Sequence, residues 1–162
     1  VMFLYAAGQY SKALEWAQKH EKIIGKDFVL LALSSHALGQ KSKAMQYWLE
    51  HLKIRGISES VIKRFVARQG GSVADYADLL DAIQTEQRLL IDPAPFAALQ
   101  MLAGDERGAS ETLKTICWSR DNQWNFRLHQ VHLFSKLKSD PSLNTVWLNP
   151  TKPAQKTAGG GP

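Results

Sequence analysis

Along almost the whole chain, apolar positions recur with the period of a helix and not of a strand. Over residues 11–24, Ala13, Leu14, Trp16 and Ala17 fall on one side, and Lys12, Glu15, Lys19 and Glu21 on the other. This predicts an amphipathic helix with Ser11 as its cap and Gly25 as its stop. Asp27 then caps residues 28–38, where Leu30, Leu31, Ala32, Leu33 and Ala37 leave almost no polar face. A helix apolar nearly all round is one buried on several sides. Gly39 ends it. Residues 42–55 follow with Ala44, Met45, Trp48, Leu49 and Leu52 inward, and Gly56 stops them. Ser58-Glu59-Ser60 opens a run with Val61, Ile62, Phe65 and Val66 at helical spacing. Its partner, residues 72–90, turns Tyr76, Leu79, Leu80 and Ile83 inward and Asp75, Asp78 and Asp81 outward. Asp92-Pro93 begins the next helix, with Pro in the first turn where its missing N–H costs nothing. Phe96, Leu99, Met101 and Leu102 lead to Gly104, and residues 110–120 carry Leu113 and Ile116. A last helix is predicted over 124–137, then a short turn from Asp140-Pro141 to Leu148. Residues 149–162 have no apolar pattern and read as a disordered tail or linker.

The helices come in pairs, and the pairs repeat. A glycine ends one helix and a small residue sits five positions on: Gly8 and Ala13, Gly39 and Ala44, Gly104 and Ala109, with a weaker copy at Gly70. The steps between these glycines are 31, 31 and 34 residues. A fixed period in this range marks a stacked helical array. The expected organisation is an all-α domain over residues 1–148, with pairs at roughly 1–24, 27–55, 58–90 and 92–120 and capping helices over 124–148.

These pairs resemble tetratricopeptide (TPR) repeats. Ala13, Ala44 and Ala109 match the family's small position early in the second helix. Phe28, Leu31 and Ala32 match its first-helix anchors, and Pro93, Phe96 and Ala97 match them in part. The third pair departs, with Asp75 where the alanine belongs, and the proline that usually closes a repeat is absent. The C-terminal third, from Leu102-Ala103-Gly104-Asp105 to Ser139-Asp140-Pro141-Ser142-Leu143, is similar to the close of TPR regions in bacterial multidomain signalling proteins, among them winged-helix transcriptional activators and nucleotide cyclases. The resemblance implies a right-handed α-solenoid with a C-terminal capping helix, acting as a protein-interaction or sensory scaffold of a larger regulatory protein. It also implies a concave groove lined by first-helix residues: Tyr5, Lys26, Val29, Leu33, His36, Ser60, Arg64, Arg68 and Met101. An apolar floor with a basic rim suits a protein or peptide segment with acidic flanks. The alternative is that the last helix folds back and fills the groove.

Composition narrows the chemistry. With 162 residues, 44% hydrophobic and 22% charged, the chain can bury a real core. Its single cysteine, Cys117, excludes an internal disulfide; it fits the cytoplasm and leaves the periplasm open. The apolar run 1–7 is far short of a membrane span and lacks the flanks of a signal peptide. The chain starts at Val1 in what reads as the back half of a helix, so a fragment of a longer protein is expected. The net charge of +5 is polarised: Lys and Arg outnumber Asp and Glu over 1–68 and 114–162, and the reverse holds over 69–113.

No residue is assigned to catalysis, to a cofactor or to a metal. His129 and His132 lie three apart without a third ligand. Gly70-Gly71 lacks the spacing of a phosphate loop, and Asp75, Asp78 and Asp81 read as a solvated helix face. Cys117 and the tryptophans Trp16 and Trp48 read as core; Trp124 and Trp147 either pack the capping helix or anchor a partner. The expected role is therefore non-enzymatic. Nucleic-acid binding through the basic N-terminal part, an accessory role beside a catalytic domain outside this chain, and self-association are the alternatives.

Overall fold

The computed structural model describes residues 2–20, 27–68, 70–86, 91–116 and 131–143. Among these there are eight α-helices and two 3-10 segments, and no strand. The helices are α1 (Met2–Ala6), α2 (Tyr10–Lys19), α3 (Phe28–Ala37), α4 (Lys41–Ile54), α5 (Glu59–Arg68), α6 (Val73–Thr85), α7 (Pro93–Leu102) and α8 (Glu106–Lys114). The 3-10 segments are His132–Ser139 and Pro141–Leu143.

Glycine sets the turns. At Gly8, Gly39, Gly56 and Gly104 the backbone takes φ of 72°, 74°, 94° and 80°, a region that costs a residue with a Cβ. Each makes the same pair of helix-closing bonds. The Gly39 N–H donates to the His36 carbonyl and the Gln40 N–H reaches back to that of Ser35; Gly104 and Asp105 do the same to Met101 and Gln100. This doubly bonded C-terminal motif satisfies carbonyls the helix leaves bare. The residue after the glycine then starts the next helix, so Gln9, Gln40 and Asp105 occupy the N-cap positions of α2, α4 and α8. Ser11 and Ser42, expected as openings, lie inside their helices, because the glycine turn fixes the start ahead of either hydroxyl. Asp27 caps α3 as expected, accepting from the Leu30 N–H at 3.0 Å. Asp92 stands before α7 but caps nothing; its carboxylate binds Arg55 at 2.6 Å.

The small residues five positions beyond the turn glycines do what close pairing requires. Ala13, Ala44 and Ala109 are fully buried, and α3–α4 and α7–α8 are the most extensively packed pairs. Each element packs on its neighbours in sequence, α2 on α3, α4 on α5, α6 on α7, and one apolar cluster runs from Tyr5 to Leu143. Helix α3 sits between α2 and α4 and buries seven consecutive residues, Val29 through Ser35.

The turns of successive pairs also meet. A Cβ on Gly71 would fall on the Lys41 carbonyl oxygen, 2.6 Å from the carbonyl carbon, at the start of α4. One on Gly104 would touch Val73 Cγ1, 3.5 Å away at the start of α6. Gly71, with φ 144°, is thus the turn glycine of the third pair, and the steps become 31, 32 and 33 residues.

Two expectations need correction. Trp16 is 38% exposed and lies against His20, its ring centroid 4.2 Å away, because its position on α2 points away from α3; Trp48 is fully buried. The part of the last helix that is described is a 3-10 segment and not α-helix. It packs on α7 through Phe134 and Leu137, and His132 meets Tyr10 of α2 edge-on at 6.4 Å. Residues 117–130 and the tail from 144 lie outside the described residues, and with them Cys117, Trp124, His129 and Trp147.

Candidate functional site

The third pair is where the pattern breaks. At the position that holds alanine in the other pairs, five residues after the turn glycine, stands Tyr76, fully buried. Its ring meets His36 of α3 edge-on at 6.3 Å. α5 and α6 touch only sparsely. Asp75, expected at the alanine position, lies one residue before it and serves a different purpose. It accepts from the N–H groups of Gly71 and Ser72, at 2.9 Å each, and from the Ser72 hydroxyl at 2.6 Å. The Asp75 N–H donates in return to Ser72 Oγ, completing a capping box at the start of α6. The Ser72 hydroxyl bond foremost, then the two backbone donors, hold its carboxyl below the ordinary range.

An open cleft of about 410 Å³ lies between α5 and α6. Val61 and Ala82 form its apolar floor, Arg64 and Arg68 one lip, Asp78 and Asp81 the other. Arg68 bonds Asp78 at 2.6 Å and closes the end nearest the turn. Arg64 lies over the ring of Phe65, its guanidinium carbon 4.9 Å from the ring centroid, and makes no ion pair among the described residues. Phe65 is the one residue that α5 buries, so the same side chain anchors the helix and supports the cation above it.

The residues expected to line a groove are thus divided. Arg64 and Arg68 share the cleft, and Ser60 is exposed one turn earlier on the same helix, its hydroxyl 3.0 Å from that of Ser58. His36 and Met101 are half-buried; burial, then the nearby Lys41 charge, lowers the His36 pKa, and Met101 packs against the core. Tyr5, Val29 and Leu33 are 3%, 3% and 2% exposed and cannot form a partner surface in this structure. The reason is coverage: α3 is enclosed by α2 and α4, and Tyr5 lies under Tyr10, ring centroids 5.1 Å apart, where His132 also arrives. Lys26 lies outside the described residues. Asp78 and Asp81, expected as a solvated face, line the cleft. The signal was present in their spacing, one helical turn apart on the helix next to Arg64 and Arg68.

A second depression of about 390 Å³ lies on the other side of α5, among Phe28, Tyr47, Leu49, Ile62 and Val66. Among the described residues no three His, Cys, Asp or Glu side chains gather as a metal site would need, and no helix is long and apolar enough to cross a membrane. The chain matches no protein-family model, no curated protein and no solved structure.

Proposed function

We propose that this chain is a protein-interaction or sensory scaffold module of a larger bacterial regulatory protein, built as a right-handed solenoid of TPR-like helix pairs and working in the cytoplasm. The recurring glycine turns, the buried Ala13, Ala44 and Ala109, and the meeting of successive turns support the repeat reading. The observation that carries the function is the α5–α6 cleft, where the Arg64 guanidinium, without an ion pair among the described residues, stands beside apolar Val61 and Ala82. Cation and apolar surface side by side are what a protein segment uses to dock: burial supplies affinity, and the charge fixes register. Asp78 and Asp81 in the same cleft would repel a phosphate backbone, which favours a protein partner over a nucleic acid.

The test is a photo-crosslinking amino acid at Val61, compared with one at Lys114 on α8, in native lysate. One protein joined at Val61, absent at Lys114 and lost when Arg64→Glu is added, is expected. Equal crosslinking from both positions, or a yield unchanged by Arg64→Glu, overturns the proposal.

A further inference from the structure

The lips of the cleft form a ladder with one rung closed and one open. α5 and α6 are joined by a short turn and run in opposite senses, so residues farther before the turn face residues farther after it. The rung nearest the turn is Arg68 with Asp78, at 2.6 Å. One helical turn outward stand Arg64 on α5 and Asp81 on α6. Both are exposed and both line the cleft, yet no ion pair joins them among the described residues. The two helices touch only sparsely.

We infer that this open rung is completed by a partner: a peptide segment that presents one carboxylate to Arg64 and one cationic side chain to Asp81, flanking an apolar side chain that lies on Val61 and Ala82. The inference rests on the interaction reading above and specifies the chemistry of its partner. Charge complementarity selects it. A purely acidic segment gains at Arg64 and is repelled at Asp81; a purely basic one meets the reverse. Only a segment of both signs gains at both lips. Arg64 is already held above the Phe65 ring, so less side-chain freedom is lost when a carboxylate arrives. Arg68 and Asp78 neutralise each other and leave the choice to the outer rung.

The experiment uses a synthetic peptide array in which a central leucine is flanked by Glu and Lys, by two Glu, by two Lys or by two Gln. It is probed with the labelled full chain and with its Arg64→Gln and Asp81→Asn variants. Both side chains are exposed, so neither substitution disturbs the core. The Glu/Lys peptides are expected to bind best, about fivefold above the single-sign sets. Arg64→Gln should abolish the advantage conferred by Glu alone, and Asp81→Asn that conferred by Lys alone. Binding that prefers one sign, or that neither variant alters, overturns this inference and leaves the interaction reading standing. Binding by no peptide, together with failure of the Val61 crosslink, overturns both.

Discussion

Replacing Gly71 with alanine tests the stacking of the turns directly. Two costs add at this position. The backbone has φ 144°, a region that L residues rarely enter, which carries about 1–3 kcal/mol of strain. The new Cβ would also fall on the Lys41 carbonyl, 2.6 Å from its carbon, and a backbone group pinned at the start of α4 has little room to yield. Overpacking of this kind costs a further ~1–3 kcal/mol. The expected loss is about 4 kcal/mol, which for a chain of this size lowers Tm by roughly 8–16 °C. Gly39→Ala is the matched control. Its φ of 74° imposes the left-handed strain, but nothing lies within 4 Å of its Cβ, so about 1–2 kcal/mol is expected. Both are measured by urea unfolding, followed by far-ultraviolet circular dichroism. If Gly71→Ala costs no more than Gly39→Ala, the third turn does not rest on the second and the stacking is wrong.

Two further substitutions probe separate devices. Burial, and secondarily the Arg55 charge, pushes the half-buried His51 down to about 4, with Asp92 opposing. A folded-state pKa below the unfolded value of about 6.5 means that the unfolded chain binds the extra proton, so stability is complete above that value and falls as pH drops toward 4. Allowing for partial solvent access, we expect about 2 kcal/mol to be lost across that window, and His51→Leu to remove this part of the pH dependence in parallel urea titrations. Asp75→Ala should cost about 1–2 kcal/mol through the lost capping box. It should also remove a stabilisation that the wild type loses as pH falls below the ordinary Asp range, since the folded-state pKa is depressed; unfolding at pH 3 and pH 7 checks both.

The helices were legible because each carries its own punctuation. Gly39, Gly56 and Gly104 end theirs through a local backbone motif that needs no tertiary contact, and Ala44 and Ala109 announce close pairing by size alone. What the chain did not disclose depends on neighbours. Val29 and Leu33 occupy first-helix positions that a regular solenoid would show to a groove, but coverage of α3 is decided by α2, α4 and the path of the chain after it. Trp16 looks like core by composition and is half outside by geometry. The third pair was readable as an exception and not as a site. Counted from Gly70, Asp75 stands where the alanine is expected; counted from Gly71, the position belongs to the buried Tyr76, a register that only the conformation of Gly71 decides.

Phe65 has a consequence for how the chain opens. α3 buries seven residues and α5 only this ring, with Val61 and Ile62 half-buried beside it and a depression on either side. A helix with so little buried surface detaches at a low free energy, here on the order of the 2–3 kcal/mol that one aromatic side chain supplies. Amide hydrogens of α5 should therefore exchange by local release while those of α3 wait for global unfolding. A protease that cuts after lysine or arginine would find Lys63, Arg64 and Arg68 presented together on a helix that loosens before α3.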